Sequence, residues 1–146
     1  MLPQFVSLPF SIPDVYQGFA EAGGIIKASK AGLILEFEVK DALVGMLKSG
    51  INEVQIPTNE ISFIDLKAGW FRTRLIIRTR SMATLSNIPG SKPGQIALRI
   101  ARKDRDIAKR LVSVLMMSMA ERELDSLNKE IDQFGDGGVS GPRSLV

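Results

Sequence analysis

Four arginines recur in one short stretch, residues 71–80, which reads F-R-T-R-L-I-I-R-T-R. The four are Arg72, Arg74, Arg78 and Arg80. Alternate side chains of an extended strand point to opposite faces, so the arginines should share one face and Phe71, Leu75 and Ile77 the other. Guanidinium groups bind phosphate and carboxylate oxygens through paired hydrogen bonds. The spacing therefore predicts an anion-binding face suited to an anionic lipid headgroup or an acidic protein.

Two aromatic residues, Trp70 and Phe71, stand at the start of this arginine strand. Exposed aromatic rings could insert into a membrane or stack on a nucleic-acid base. The chain has only one Trp and one Tyr, which is too few for a platform that binds single-stranded nucleic acid. Because Trp is more often a core residue than a binding residue, we expect Trp70 to be in the core and do not expect a nucleic-acid partner. A nucleic-acid binder, the third class of function considered, would instead have Trp70 exposed beside the arginines.

The residue types needed for most catalytic chemistry are missing. The chain has no His and no Cys, which removes the commonest general base, thiolate nucleophiles and the usual metal ligands. The Gly23-Gly24 pair has neither the Lys nor the spacing of a phosphate-binding loop. Glu36 and Glu38 share a strand face, and we predict that they form cross-strand ion pairs with the arginine strand. No catalytic residue, metal or cofactor is expected.

Charge is distributed unevenly along the 146 residues. Residues 1–66 carry 4 Lys against 8 acids, residues 67–110 carry 12 basic residues against 2 acids, and residues 111–146 carry 3 against 6. The net charges of −4, +10 and −3 add up to the overall +3. The basic middle third favours an anion-binding face, although acidic strands closing against basic ones would give the same pattern.

The remaining patterns predict strands followed by one helix. Alternating apolar residues favour strands at residues 25–29, 33–39, 53–56, 60–66 and 95–101, in addition to the arginine strand. In residues 60–66, Ile61, Phe63 and Asp65 should share one face. Residues 1–22 are rich in proline and aromatic residues, and we expect them to pack across the sheet with a helical turn near Pro13. Residues 81–88 fit either a helical turn or an irregular strand.

A long helix is predicted from an Asp104 cap to about Phe134. A first apolar stripe, suited to packing on the sheet, consists of Ile107, Leu111, Val114 and Leu115, with Ser118. A second stripe has the alternating spacings of three and four that are typical of a helix-to-helix interface: Met117, Ala120, Leu124, Leu127, Ile131 and Phe134. This second stripe either faces a partner or folds back onto the N-terminal aromatic residues.

The order of elements, several antiparallel strands and then one C-terminal helix, resembles the pleckstrin-homology-like domains over residues 24–120. The resemblance implies a mainly β, α+β fold in which a bent antiparallel sheet or split barrel is capped by the helix, and a role in binding phosphoinositides, peptides or proteins. Lipid-binding members carry basic residues on the first two strands and their loop, and here Lys27 and Lys30 match. Glu36 and Glu38 stand where further basic residues would be. The chain is also similar to bacterial members of unassigned function that tend to self-associate.

Together these patterns predict one domain over residues 1–134 and a disordered tail over residues 135–146. We expect a non-enzymatic binding or scaffold module that binds an anionic partner and self-associates through the second stripe. The alternative is a small β-barrel carrier or enzyme that uses an enclosed ligand cavity. The chain has no basic segment followed by an apolar run at its start and no apolar run of transmembrane length, so a cytoplasmic location is expected.

Overall fold

A computed structural model describes residues 5–15, 20–41, 50–70 and 72–134, with a seven-stranded sheet and one long helix. The strands are β1 (Val6–Val15), β2 (Ala20–Ser29), β3 (Gly32–Asp41), β4 (Asn52–Pro57), β5 (Ile61–Ala68), β6 (Thr73–Thr79) and β7 (Gln95–Ile100). Two 3-10 turns, Thr58–Glu60 and Arg102–Asp104, precede β5 and the helix α1 (Arg105–Phe134). The predicted disordered tail, the side chain of Phe71 and that of Phe134 lie outside the described residues.

All neighbouring strands are antiparallel, in the order β4-β3-β2-β1-β7-β6-β5. Each half of the sheet is a meander, and the halves meet where Ser11 of β1 pairs with Arg99 of β7. The sheet does not close, because β4 and β5 remain its two edges. The predicted fold class is confirmed: a mainly β sheet covered by one long C-terminal helix, consistent with a pleckstrin-homology-like layout.

The prediction of a helical turn near Pro13 is wrong. Residues 6–15 form β1, which pairs with β2 from Val6 opposite Ala28 onwards. A period of two was present in the sequence, since Leu8, Phe10 and Ile12 are buried and alternate with exposed residues. The prolines obscured this signal. They are tolerated in part because β1 pairs with β7 at only one position, so a missing N–H disrupts few interstrand bonds on that side.

Glycine permits the close approach of β2 and β3. A Cβ atom built on Gly24 would lie 1.8 Å from the carbonyl oxygen of Glu36, well inside contact distance. Gly24 stands between Phe10 and Phe37 in register, and both of these rings are buried. The space that a side chain would occupy at Gly24 is therefore taken up by the backbone of β3.

The first half of α1 covers the inner side of the sheet. Ala108, Leu111, Leu115 and Ser118 are buried, and Ile107 and Val114 are partly buried. The helix packs over β1, β2 and β5. The first stripe therefore packs on the sheet as predicted. Asp104 directly precedes the helix, as a cap should, but its buried Oδ2 atom has no hydrogen-bond partner.

A β-bulge changes the faces of β5. Ile61 pairs with Thr79 and Phe63 with Arg78, so Ser62 is an extra residue in the strand. Ile61 and Ile64 are consequently both buried, while Phe63 is exposed. The predicted shared face of Ile61, Phe63 and Asp65 is wrong because a bulge reverses the alternation and leaves no mark in the hydrophobic pattern.

Residues 81–88, for which helix and strand both remained open, form neither. They make consecutive turns in which the Ser86 N–H bonds to the carbonyl of Ala83 and the Ile88 N–H to that of Leu85. Leu85 and Ile88 are buried and anchor the turns to the core. This segment belongs to the long connection between β6 and β7.

Candidate anion-binding face and helix extension

The arginine strand is β6, and its side chains alternate as the sequence predicted. Arg74 and Arg78 are exposed, while Leu75 and Ile77 on the opposite face are fully buried. Arg72 and Arg80 flank the strand and are also exposed. The four predicted arginines therefore project from one face of the sheet, but their contacts divide them into two groups.

Three cations form a row across the outer face of the sheet. In the interstrand register, Arg74 of β6 lies opposite Lys67 of β5 on one side and Arg99 of β7 on the other. Directly opposite residues of antiparallel strands have their side chains on the same face, about 5 Å apart at Cβ. Within the described residues, none of the three makes a salt bridge. Positive charge is thus concentrated here, with Asp65, two residues before Lys67 on the same face of β5, as an acidic neighbour.

Arg72 and Arg102 extend this row at its lower end. With Ser11 and Arg99 they line a shallow recess of about 290 Å³, and no acidic residue is among its lining residues. We call the surface made of Lys67, Arg72, Arg74, Arg99 and Arg102 the cationic face. Sequence reasoning missed Lys67. The short turn between β5 and β6 contained the signal, because a hairpin with Ala68 opposite Thr73 places Lys67 opposite Arg74.

The other two predicted arginines are engaged in contacts within the domain. The guanidinium of Arg78 lies 4.8 Å from the centre of the Phe63 ring, and its Nε donates to Gln95 Oε1 at 3.1 Å. The Nε of Arg80 donates to the carbonyl of Asn59 at 2.9 Å, away from the cationic face. Arg78 and Arg80 therefore stabilise local structure, whereas the side chains of Arg72 and Arg74 make no ion pair or hydrogen bond with the described residues.

Arg105 fixes the turn at the lower end of the cationic face. Its Nε donates to Thr73 Oγ1 at 2.7 Å and its Nη2 to the carbonyl of Gly69 at 2.8 Å. These bonds join the start of the helix to the β5–β6 turn. The turn carries Trp70, which is 87% exposed. The prediction of a buried Trp70 is wrong, because the residue lies at the tip of the turn between β5 and β6.

The acidic pair Glu36 and Glu38 does not neighbour the arginine strand. Both lie on β3, which β2, β1 and β7 separate from β6. Glu36 instead pairs with Lys27 of β2 at 3.1 Å, and it lies opposite Glu53 of β4. The predicted ion pairs with the arginines are therefore wrong. The outer face of the sheet carries Glu36, Glu38 and Glu53 on β3 and β4, and mainly basic residues together with Asp65 on β5 to β7.

Lys27 and Lys30, the two residues that matched the lipid-binding pattern, also occupy different positions from those expected. They lie on β2 and in the β2–β3 turn, because the segment before residue 20 supplies the true first strand. The Lys27 ammonium is engaged with Glu36. The match to the usual phosphoinositide-binding hairpin is therefore lost.

The second half of α1, residues 121–134, continues past the region where the helix packs on the sheet; we call it the helix extension. All of its described side chains are exposed. Met117, Leu124, Leu127 and Ile131 of the second stripe have exposed fractions of 65%, 60%, 48% and 65%, and Ala120 is also exposed. The stripe does not fold back onto the sheet over the described residues.

Two concavities of the described surface are open grooves. The larger, about 800 Å³, lies between the helix extension and the Thr58–Glu60 turn, with Arg80, Arg122, Ser126 and Lys129 in its lining. Between the helix and the sheet, the space is filled by a continuous cluster of buried side chains that includes Leu35, Leu98 and Leu111. This filled interior gives no support to an enclosed ligand cavity.

Over the ranges that the structure describes, no group of three or more acidic, His or Cys side chains is arranged to hold a metal ion. Likewise, none of the helices in those ranges is long and apolar enough to cross a membrane. Comparison with protein-family models, with curated proteins and with solved structures yields no match for this chain. The function must therefore be argued from the surfaces themselves.

Proposed function

We propose that this protein is a non-enzymatic binding module that takes an anionic partner on its cationic face. The observation that carries the proposal is the row of Lys67, Arg74 and Arg99 on three adjacent strands. Like charges placed directly opposite each other destabilise a sheet. Here three of them are in register, beside a recess lined by two more arginines. An anion bound between them would offset this repulsion, which makes anion binding favourable.

Binding to a soluble polyanion tests this proposal. Inositol hexakisphosphate, titrated calorimetrically, should bind the intact protein at low salt and lose affinity steeply as salt is raised. An Arg74→Gln/Arg99→Gln variant should bind about tenfold more weakly or worse, since two charge-assisted contacts are removed. The matched control is Lys109→Gln/Arg110→Gln, which removes two exposed cations outside the face. Equal losses in both variants, or binding insensitive to salt, would contradict the proposal.

Self-association is a second candidate function, favoured by the exposed stripe of the helix extension. Leu124, Leu127 and Ile131 lie on one side of a helix that has no described contact there. An exposed apolar stripe of this length is typical of an interaction surface. Light scattering should give a larger mass for the whole chain than for a chain that ends at Ala120. Identical monomeric masses would contradict this second function.

The layout of the sheet and helix supports a place among the pleckstrin-homology-like domains, as a single domain with a binding rather than a catalytic role. A cytoplasmic location fits a module of this kind. Both statements belong to the proposal and rest on the order of elements and on the composition of the chain.

A further inference from the structure

We propose that the anionic partner of the cationic face is the helix extension of a second copy of this chain, which produces a head-to-tail assembly. This inference rests on the proposed anion-binding function and names its partner. It joins the cationic face and the helix extension, two surfaces that the described residues leave uncovered and that are complementary in charge, apolar area and length.

The first complementarity is one of charge. The helix extension has five acids and two cations, a net charge of −3, whereas the cationic face has five cations. At 3.6 residues per turn, the acids border the apolar stripe on both sides. Glu123 and Glu130 lie along one border, and Glu121 and Asp132 along the other. A helix laid with its stripe against the sheet would therefore bring acids to both flanks of the contact.

The second complementarity is apolar. Beside the cationic face lies Trp70, the most exposed of the large hydrophobic side chains that the structure describes. Next to the cationic row, Ile76 and Ala97 lie opposite each other on the outer face, with Asp65 opposite Ile76 on β5. Ala97 is exposed and Ile76 is only 8% exposed, so the strip between β6 and β7 is uncharged and small. Leu124 and Leu127 could pack against this strip while the stems of the arginines cover their sides.

The third complementarity is length. The extension has 14 residues, about 21 Å at 1.5 Å per residue, and β6 has seven, about 23 Å at 3.3 Å per residue. One helix of this length can therefore span the strand that carries Arg74. A longer or shorter extension would leave one of the two surfaces partly uncovered.

The contact cannot form within one chain. The helix covers the inner side of its own sheet, whereas the cationic face is on the outer side. The side of the extension that faces its own domain carries Arg122, Ser126 and Lys129, which line the groove at the Thr58–Glu60 turn. The apolar stripe lies about 180° around the helix from these residues and points away from the domain. Its partner must be another molecule.

A symmetric pair of helix extensions is disfavoured by the same charges. Two copies meeting stripe to stripe would bring their acidic borders together, and like charges flanking a helix interface destabilise it. A head-to-tail contact instead pairs the acids with the unpaired cations. Because a complex of two copies still has one free face and one free extension, the assembly either closes into a ring or continues as a chain.

Two variants that each lose one surface provide the test. The face variant is Arg74→Glu/Arg99→Glu, and the extension variant is Leu124→Ser/Leu127→Ser. The side chains changed in both variants are exposed or partly exposed. Thermal unfolding of each variant alone checks that its fold is intact. The intact protein should form assemblies that grow with concentration and weaken with salt, whereas each variant alone should be monomeric by light scattering.

Mixing the variants gives the decisive result. The face variant retains an intact helix extension, and the extension variant retains an intact cationic face. The mixture should therefore form a complex of two chains, which cannot grow further because the two remaining surfaces are mutated. A Lys109→Glu/Arg110→Glu variant makes the same charge change off the face and should assemble like the intact protein. No complex on mixing would overturn the inference.

The remaining outcomes separate this inference from the proposed function. If the face variant alone assembles as well as the intact protein, the helices pair symmetrically and the inference is wrong. If the intact protein stays monomeric but binds inositol hexakisphosphate or vesicles containing phosphatidylserine, the proposed function stands and the partner is different. If the protein stays monomeric and binds neither probe, both proposals fail.

Discussion

The two halves of α1 belong to one unbroken helix but have opposite relations to the rest of the molecule. Residues 105–120 bury Ala108, Leu111 and Leu115 against the sheet, whereas residues 121–134 bury no described side chain. Both halves contain leucines at helical spacing. An apolar stripe therefore predicts only that burying this face of the helix is favourable. Whether the same molecule buries it depends on how far the sheet extends beneath the helix.

The largest effect that separates the two halves is on stability. We expect Leu111→Ala to lower the free energy of unfolding by about 2–5 kcal/mol, because it leaves a cavity in the core. Leu127→Ala should change it by no more than about 0.5 kcal/mol, because the side chain is already exposed. Urea denaturation of the two variants at a concentration where the protein is monomeric measures both. Similar losses would show that the extension is packed in solution.

A smaller loss should follow from detaching the helix start from the β5–β6 turn. Arg105→Ala removes the donors to Thr73 and to the carbonyl of Gly69, and we expect a loss of about 1–3 kcal/mol. Arg110→Ala, on the exposed side of the same helix half, serves as the control and should be nearly neutral. Hydrogen exchange of the turn amides should rise only in the first variant. Unchanged exchange in both would contradict the role given to Arg105.

Neutralising a charge in the row of Lys67, Arg74 and Arg99 should, in contrast, increase the stability of the domain. Arg74→Gln removes the central charge of three and should raise the free energy of unfolding by about 0.2–1 kcal/mol. The gain should shrink as salt screens the remaining charges. Thermal or urea unfolding at low and high salt measures it, with Arg110→Gln as the matched control. A loss of stability at low salt would mean that Arg74 already has a favourable partner in the monomer.

Removing the helix extension should have the smallest effect on folding. A chain that ends at Ala120 keeps every buried residue of the helix, so its unfolding free energy should lie within about 0.5 kcal/mol of the intact chain in the monomeric range. Calorimetric melting at low concentration measures this. A large loss would show that the groove beside Arg122 and Lys129 closes on the domain, which would weaken the contrast between the halves.

The sequence was informative wherever periodicity ran uninterrupted. The alternation in the arginine strand, the helix start after Asp104 and its end near Phe134 all match the structure. The predictions failed where one residue changed the alternation of side chains along a strand, or where a residue's exposure depended on its place in the tertiary structure. Ser62 reversed the faces of β5, prolines obscured β1, and the exposure of Trp70 followed from its place at the tip of the turn between β5 and β6.

The candidate site was predictable only in part, because a site made across strands depends on pairing. Arg72 and Arg74 were found from one strand alone. Lys67 required the hairpin register, and the role of Arg99 required the order in which β6 and β7 are joined after a long connection. The engagement of Arg78 with Phe63 and of Arg80 with Asn59 arises from local packing, for which the spacing of arginines contains no information.

The bulge at Ser62 gives β5 one point at which its length can vary. Residues from Phe63 to Ala68 keep their partners on β6 whether Ser62 is present or not, since it is paired with no residue of that strand. A deletion at Ser62 would therefore leave Lys67 beside Arg74. The loss of one residue between Phe63 and Lys67 would instead turn the lysine toward Leu75 and Leu98. Evolutionary shortening of this strand is thus permitted at Ser62 and opposed at the three residues between Phe63 and Lys67.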